Sequence, residues 1–258
     1  MRNLLKAWPH LARRLSGKKL LLMLDYDGTL APIRAVPGKA ALPARTRKLL
    51  EHLAARPSVM IAIVSGRDLR YLRKAIGLKN IIYASNHGFR ISGRGMKFSV
   101  RVRRGPLAAF RRELAAAAAG TRGALVENKE FSAALHYRRA RPSDARRLRA
   151  VFMRLLARHP GLEAGRGKKV LEAAPVLRWD KGRAVLYIIE KVRAEEGAIV
   201  PLYIGDDRTD ENAFRALAGR GVAARVGRKK NTRARYYLEN TAKVAELLAA
   251  VARAAEAT

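Results

Sequence analysis

Short, uninterrupted apolar runs recur along the chain, and each ends in a cluster of polar residues. The runs with their polar ends are "KLLLMLDYDGT", "SVMIAIVSGRD", "NIIYASNHG" and "AIVPLYIGDDRTDE". Runs without alternation are typical of strands buried on both faces, as in a parallel sheet covered by helices. We therefore predict four core strands, each followed by polar residues at its carboxyl end.

The segments between these runs predict the covering helices. "LPARTRKLLEHLAAR" and "RDLRYLRKAIG" have apolar residues three and four positions apart and end near Pro or Gly. The same spacing between Leu4 and Leu15 predicts a helix docked on the domain, with a membrane-surface helix as the alternative. Strands that alternate with helices predict an α/β fold with a doubly wound, Rossmann-like parallel sheet. Its ligands are expected at the carboxyl ends of the strands.

The pattern changes between residues 106 and 173. Two long helical segments, "PLAAFRRELAAAAAG" and "PSDARRLRAVFMRLLARHP", alternate there with short segments that read as strands. These strand segments are "ALVENK", "FSAALHYR" and "KKVLEAAP". We predict an α+β unit, residues 106–173, inserted in a core made of residues 1–105 and 174–258.

Composition narrows the possible functions. The chain of 258 residues has no cysteine, so carboxylate, carbonyl, hydroxyl and imidazole groups are its available metal ligands. Such ligands favour a hard cation such as Mg²⁺. The apolar runs are too short to span a bilayer, and charges interrupt the N-terminal apolar segment. We expect a cytoplasmic protein that has no membrane partner.

The formal net charge of +33 has two explanations, a polyanion-binding surface or an Arg-rich composition. Residues 97–173 carry 19 of the 54 basic and 6 of the 21 acidic residues, so the charge is denser there but forms no isolated block. We favour the compositional explanation. The aromatic content is only 6%, and no nucleic-acid-binding motif is recognisable, so no specific nucleic-acid partner is expected.

Two carboxylates follow the first predicted strand, in the stretch "LLMLDYDGTLAPI". On an extended segment Asp25 and Asp27 would lie on the same side and point into one site. Their mutual repulsion would be relieved by a bound cation or by a proton. A turn in which Gly28 supplies the permissive backbone is the alternative explanation.

The other polar clusters provide complementary groups. In "VSGRD", Ser65 and nearby backbone N–H groups can hold a phosphate oxygen before a helix begins. Lys181 in "DKG" offers a point charge for an anionic transition state. The stretch "GDDRTDE" concentrates three carboxylates, those of Asp206, Asp207 and Asp210. Each cluster alone could be an N-cap, a surface lysine or a charged loop, but together they form an ordered set at strand ends.

This set resembles the motifs of the haloacid dehalogenase (HAD) superfamily of phosphotransferases, and most closely those of the trehalose-6-phosphate phosphatase family. The resemblance reaches from about residue 20 to residue 215. The segments that carry it are "LDYDGTLAPI", "SGR", "SNHG", "VENKEFSAALHYR", "GKKVLE", "DKG" and "GDDRTDE". It implies a HAD core in which the inserted unit is a cap domain that closes over the substrate. It also implies Mg²⁺-dependent hydrolysis of trehalose 6-phosphate to trehalose and phosphate.

The resemblance also implies catalytic roles. Asp25 would be the nucleophile that forms an aspartyl phosphate, and Asp27 the general acid and then the general base. Ser65 and Lys181 would bind the phosphoryl group. Mg²⁺ would be held by Asp25 and the backbone carbonyl of Asp27, together with the carboxylates of the last motif. Asp206 would be the ligand from this motif, with Asp207 or Asp210 either contacting the metal directly or supporting its ligands.

The predicted substrate-binding residues lie at strand ends of the core and in the insertion. They are Thr29, Gly66, Arg67, Asn86, His87, Gly88, Glu127, Lys129, Arg138, Lys168 and Glu172. In the insertion, acidic and basic residues spaced two or four apart share one face of a strand and suit a polyhydroxylated sugar. A solvated sheet face with cross-strand ion pairs is the alternative.

Some positions depart from the family pattern. Ala173 and Ala174 stand where the family often has a bulky or basic residue, and Arg90 stands where an acidic residue is frequent. One alternative is therefore another glycosyl phosphate, such as mannosyl-3-phosphoglycerate or glucosylglycerol phosphate. Another is a polyanion-binding or nucleic-acid-binding protein on a HAD scaffold. The expected partner is a small sugar phosphate, and the enzyme could be coupled functionally to a separate trehalose-phosphate synthase.

Overall fold

The computed structural model describes residues 1–15, 17–33, 41–102, 104–167 and 169–256. They divide into two units, one formed by Met1–Ser99 with Trp179–Thr258 and the other by Val100–Arg178. The predicted insertion lies inside the second unit. Its predicted C-terminal limit, residue 173, falls within a strand that continues to Pro175.

Strands and helices alternate through most of the chain. The strands are β1 (Arg2–Asn3), β2 (Lys19–Leu24), β3 (Val59–Val64), β4 (Ile82–Ser85), β5 (Arg90–Gly93), β6 (Met96–Ser99), β7 (Leu125–Asn128), β8 (Ala133–His136), β9 (Leu162–Gly167), β10 (Val170–Pro175), β11 (Ile199–Gly205), β12 (Val222–Val226) and β13 (Tyr236–Leu238). The helices are α1 (Leu4–Leu15), α2 (Ala44–Ala54), α3 (Leu69–Ile76), α4 (Arg104–Ala118), α5 (Pro142–Arg158), α6 (Lys181–Glu196), α7 (Asp210–Ala216) and α8 (Thr241–Glu256).

The first unit contains a nine-stranded sheet in the order β1-β13-β12-β11-β2-β3-β4-β5-β6. Neighbouring strands are parallel from β1 to β4, and the β5–β6 hairpin extends this sheet in antiparallel fashion. β2 and β11 form the central pair. Strands β3 to β6 follow in chain order on the side of β2, and β12 and β13 follow on the side of β11. Ligands of doubly wound folds bind at such a switch point, outside the carboxyl ends of the strands.

Helices cover both faces of this sheet. Apolar residues of α1, α2, α3 and α8 pack on one face, and those of α6 and α7 pack on the other. Strand β2 shows the division, since Leu22 and Leu24 belong to the first layer while Leu21 and Met23 belong to the second. All four side chains are fully buried, which explains the uninterrupted apolar run.

The second unit is a four-stranded antiparallel sheet in the order β7-β8-β10-β9. Helices α4 and α5 pack on one face through an apolar core that includes Phe110 and Phe152, whose rings meet edge to face. On the strands, Leu135 and Leu171 face this core, so the alternate residues Ala134 and Glu172 belong to the opposite face.

The doubly wound α/β class, the four core strands and the predicted helices are confirmed. The sequence pattern does not predict β5, β6, β9, β12 or β13. Strand β9 reads "LEAGRG", without β-branched or aromatic residues, and it forms because all six residues pair with β10. None of the helices in the described part of the chain combines the length and apolar character that a membrane span requires.

Candidate active site

The first acidic motif forms a tight loop directly after β2. Asp25 still donates its backbone N–H to Ile204 of β11, but the carbonyl of Tyr26 then accepts hydrogen bonds from the N–H groups of Leu30 and Ala31. The chain turns back over Gly28 to Ala31, after Asp27, so the expected orientation of Asp25 and Asp27 toward one site stays a prediction.

A buried ion-pair centre joins this loop to the first turn of α6. Lys181 Nζ lies 2.7 Å from Asp25 Oδ1 and 2.7 Å from Asp210 Oδ1. The three side chains are at most 6% exposed. Burial alone would lower the pKa of Lys181, but the carboxylates of Asp25 and Asp210 outweigh burial and raise it. The lysine is therefore a permanent positive charge beside the predicted nucleophile.

The Asp210 carboxylate organises the turn that follows β11. Its Oδ1 accepts hydrogen bonds from Lys181 and from the hydroxyl of Tyr203, the latter at 2.6 Å. Its Oδ2 accepts the backbone N–H groups of Asp206 and Asp207 at 3.0 and 2.9 Å. Tyr203 was not a predicted site residue, since it reads in the sequence as one more apolar member of a buried strand.

Three carboxylates gather closely enough to hold a metal ion. Among the described residues, these are Asp25, Asp206 and Asp210, whose oxygens lie within 4.8 Å of one another. A Cβ atom at Gly28 would lie 2.1 Å from Asp206 Oδ2, so the glycine leaves the room that this carboxylate occupies. A cluster of carboxylate oxygens matches the ligand preference of hard divalent cations.

The electrostatics of the cluster also fit a cation. Burial, followed by the negative charges of Asp210 and Asp207, raises the pKa of Asp206 to about 7. Burial likewise raises the pKa of Asp25, Lys181 counteracts this effect, and the charge of Asp210 adds to the increase. At Asp206, burial and the charges of Asp210 and Asp207 outweigh the attraction of Lys181, and a bound cation would favour the ionised carboxylate.

Two other predicted metal ligands lie outside this three-carboxylate group. Asp207 is exposed, and its Oδ1 accepts the N–H of Arg208. Asp27 is bound to Arg67, which donates from Nε to Oδ2 at 2.7 Å and from the terminal nitrogen to Oδ1 at 2.8 Å. The predicted metal contact of Asp27 was through its backbone carbonyl, so this side-chain pair leaves that prediction untested.

The phosphate-binding motif after β3 is tied to the turn after β4. Ser65 is buried, and its Oγ accepts the N–H of Arg67 at 3.2 Å. The carbonyls of these two residues accept the N–H groups of His87 and Asn86, each at 2.9 Å. A Cβ atom at Gly66 would lie 2.6 Å from the His87 ring, so the imidazole packs directly on this loop.

Asn86, His87 and Gly88 form a strained turn with φ values of +50°, +58° and +88°. Such conformations are uncommon for residues with side chains, and they cluster at functional sites. Trp179 Nε1 donates to the carbonyl of Gly88 at 2.9 Å and holds the turn from the segment just before α6. Sequence reasoning did not identify Trp179, although its position directly before "DKG" was a usable signal.

Thr29 was predicted to bind substrate. It is fully buried, and its Oγ1 finds no hydrogen-bond partner among the described residues. An unsatisfied buried hydroxyl is unfavourable, and a bound group could satisfy it.

The predicted sugar-binding residues of the second unit form side-chain pairs across one sheet face. Lys129 Nζ lies 3.1 Å from Glu172 Oε1, which also accepts a short hydrogen bond from Ser132. Glu127 Oε2 lies 2.8 Å from His136 Nε2. Glu127 and Glu172 both pair with Ala134, so they lie in one row on the face opposite α4 and α5.

Arg138 and Lys168 are the other two substrate-binding residues predicted in this unit. Arg138 follows β8 and is exposed. Lys168 lies outside the described residues, so its predicted contact stays a prediction.

The site combines carboxylates and a lysine at the switch point of a doubly wound sheet, and an α+β unit is inserted in the chain that forms this fold. HAD-superfamily phosphohydrolases have this arrangement. Fold and site together define that class.

Comparison with known proteins narrows the class. A family model described as trehalose-phosphatase matches residues 23–242. Probable trehalose-phosphate phosphatase 4 of rice (Oryza sativa subsp. japonica) is 34% identical over 255 residues, which are 95% of this chain and 69% of the rice protein. Trehalose-phosphate phosphatase B of Arabidopsis thaliana is 34% identical over 248 residues, 90% of this chain and 66% of that protein. The chain thus spans about two thirds of these plant proteins.

A solved structure of the C. albicans trehalose-6-phosphate phosphatase C-terminal domain superposes with a TM-score of 0.76. The sequences are 26% identical, and the match covers 95% of this chain and 96% of that domain. This chain belongs to the trehalose-phosphatase family, whose members are phosphoric monoester hydrolases.

Proposed function

We propose that the chain is a Mg²⁺-dependent phosphatase that hydrolyses trehalose 6-phosphate to trehalose and inorganic phosphate. The observation that carries this proposal is the buried contact between Lys181 and Asp25, beside two further carboxylates at the switch point. The family supports phosphate-ester hydrolysis, and the names of the relatives support the sugar.

In the first step, a carboxylate oxygen of Asp25 attacks phosphorus and the bond from phosphorus to the sugar oxygen breaks. Asp27 gives its proton to that oxygen, so the sugar leaves as a neutral alcohol. Lys181 stabilises negative charge on the transferring phosphoryl group, and Ser65 donates a hydrogen bond to it. The product of this step is an acyl phosphate on Asp25.

In the second step, a water molecule attacks phosphorus and the bond between phosphorus and the Asp25 oxygen breaks. Asp27 accepts the proton of that water, which returns both aspartates to their initial states. Asp25 and Asp206 would hold Mg²⁺, which when bound supplies neutralisation of the charge on the phosphoryl oxygens. The three-carboxylate group gives this cation an oxygen-rich site.

The pair between Arg67 and Asp27 adds one requirement to this chemistry. Because Arg67 donates to both oxygens of Asp27, it occupies two of the about four lone-pair positions of that carboxyl, and the proton for the sugar oxygen must be carried at one of the other positions. We infer that a substrate phosphate attracts Arg67 and so frees Asp27. Guanidinium groups bind phosphate and carboxylate with similar two-pronged geometry, which makes this exchange feasible.

The sheet face that carries Glu127, Lys129 and Glu172 is the proposed sugar-recognition surface. Its charged groups can form charge-assisted hydrogen bonds with several hydroxyls of a disaccharide. In the structure Lys129 is paired with Glu172 and Glu127 with His136, so these side chains are held in place on the sheet face. Sugar specificity is thereby assigned to the second unit and phosphoryl transfer to the first.

Phosphate release from a panel of phosphate esters tests the proposal. With Mg²⁺ present, trehalose 6-phosphate should give the highest kcat/KM. The panel also contains glucose 6-phosphate, mannosyl-3-phosphoglycerate, glucosylglycerol phosphate and a simple aryl phosphate. Asp25→Asn should abolish release from every member, since no carboxylate nucleophile remains. Equal rates for trehalose 6-phosphate and glucose 6-phosphate would refute the proposed substrate, and substantial turnover by the Asn variant would refute the mechanism.

A further inference from the structure

Tyr203 is a fully buried tyrosine on β11 whose hydroxyl reaches the acidic cluster. It donates to Asp210 Oδ1 at 2.6 Å, and neither side chain is exposed to solvent. Its ring packs edge to face against Phe214 of α7, with ring centroids 5.8 Å apart. The hydroxyl position is therefore fixed from both sides, by β11 and by the helix that begins at Asp210.

The hydroxyl completes the set of donors around Asp210. A carboxylate offers about four lone-pair positions for hydrogen bonds. In Asp210, Oδ1 receives Lys181 and Tyr203, and Oδ2 receives the N–H groups of Asp206 and Asp207. All four positions are used by groups of the protein itself.

We propose that Tyr203 is a positioning residue that keeps Asp210 as an organiser of the cation site and not as a direct ligand of the cation. Asp210 then fixes the turn that presents Asp206, and it shares Lys181 with Asp25. The inference deepens the proposed function, because it rests on a divalent cation binding beside Asp25 and Asp206.

The consequence of losing the hydroxyl follows from the same geometry. An open lone pair on Oδ1 increases the attraction of Asp210 for Lys181 and draws the ammonium group away from Asp25. It also permits the carboxylate to rotate, which loosens its hold on the N–H group of Asp206. Both effects weaken the cation site, although every proposed ligand is still present.

Tyr203→Phe tests the proposal, and the chain offers a matched control. Tyr83 on β4 is also buried, and its hydroxyl donates to a backbone carbonyl, that of Leu78, at the same distance of 2.6 Å. Tyr83→Phe therefore removes a tyrosine hydrogen bond of the same length, to a neutral acceptor, from the same unit without touching the acidic cluster. For both variants and the wild type, the half-saturating Mg²⁺ concentration (Kd) is obtained without substrate from the rise of the melting temperature with Mg²⁺ concentration, since the stabilisation follows RT ln(1 + [Mg²⁺]/Kd).

We expect the half-saturating Mg²⁺ concentration of Tyr203→Phe to rise about threefold to tenfold, as the loss of one net hydrogen bond predicts. Its kcat should fall by a similar factor at saturating Mg²⁺, with KM for the substrate unchanged. The half-saturating concentration of Tyr83→Phe should remain within about twofold of wild type, since its hydrogen bond is not connected to the cation site.

The outcomes separate this inference from the proposed function. An unchanged or lower half-saturating concentration in Tyr203→Phe overturns the role of Tyr203, as does an equal increase in Tyr83→Phe. If Mg²⁺ does not stabilise even the wild-type protein, both the inference and the proposed cation site fail. A different sugar preference would leave the inference unaffected, because the thermal measurement contains no substrate.

Discussion

Lys181 Nζ lies 2.7 Å from Asp25 Oδ1, although the two residues are 156 positions apart in the chain. Asp25 directly follows β2, and Lys181 opens α6, near the point where the chain re-enters the first unit after the second unit is complete. The pair is nearly excluded from solvent, so its formation requires both segments of the first unit to be folded. The catalytic pair therefore exists only when the core is folded.

Lys181→Met should destabilise the protein by about 3 to 5 kcal/mol, because it leaves Asp25 and Asp210 buried without their counter-charge. Urea denaturation at pH 8 measures the loss. The loss should be smaller at pH 5, because burial raises the pKa of Asp25 and its protonation removes one of the two uncompensated charges. The variant should also have almost no phosphatase activity.

Lys243→Met is the control for that substitution. Lys243 pairs with Glu246 on the exposed surface of α8, where ion pairs contribute little. Its stability and activity should match those of the wild type. A loss of stability in Lys243→Met equal to that in Lys181→Met would show that burial of the catalytic ion pair is not the cause.

The metal-free protein should lose stability as pH rises from 4 to 7 through the contribution of Asp206. Its pKa is raised from the ordinary value of 3.8 to about 7, so in this range the folded state holds a proton that the unfolded state releases. Mg²⁺ competes with this proton, and its stabilising effect should therefore be larger at pH 8 than at pH 6. Thermal melts with and without Mg²⁺ at both pH values check this, and Asp206→Asn should remove most of the pH dependence of the Mg²⁺ effect.

Gly28→Ala should weaken Mg²⁺ binding at least about tenfold, since a Cβ atom there would lie 2.1 Å from Asp206 Oδ2 and force that carboxylate to move. Isothermal titration with Mg²⁺ provides the measurement. Gly219→Ala is the matched control, because Gly219 has a similar φ of +73° against +78° at Gly28, but open space around the added atom. If both variants bind Mg²⁺ equally weakly, backbone strain and not displacement of Asp206 is responsible.

Lys129→Met should raise KM for trehalose 6-phosphate about tenfold or more, because one charge-assisted contact with the sugar is lost and Glu172 loses its partner. Hydrolysis of a simple aryl phosphate should be unchanged, since it has no sugar to bind. Arg112→Met is the control, as Arg112 is exposed on α4, which covers the other face of the same sheet. Equal losses on both substrates would contradict a role in sugar recognition.

The apolar pattern was sufficient for the core of the first unit because its strands are buried on both faces. Such strands appear as uninterrupted runs, and β2 and β3 match their predicted segments closely. The helix α3 was equally predictable, with Asp68 capping its start and Gly77 in the left-handed conformation at its end. Strands such as β9 lack a signal of their own, since neighbouring strands and not side-chain preferences hold them.

The polar motifs identified which residues gather at the strand ends, but not which of them bond to each other. The pairing of Asp27 with Arg67 and the four donors around Asp210 depend on side-chain directions that no spacing rule gives. Tyr203 was not predicted for the same reason. It lies within an apolar run, and only the fold brings its hydroxyl close to the Asp210 carboxylate.

By itself, the sequence determined the doubly wound sheet, the ends of its strands and the family, because burial patterns and motif order are properties of the chain read in one dimension. The tertiary structure alone decided which partners each carboxylate of the site has, and therefore which role each can take. Asp25 shares Lys181, Asp206 remains open toward a cation, and Asp210 is saturated by donors. The physical reason is that hydrogen-bond saturation depends on distances of about 3 Å between groups far apart in the chain, and such distances exist only after folding.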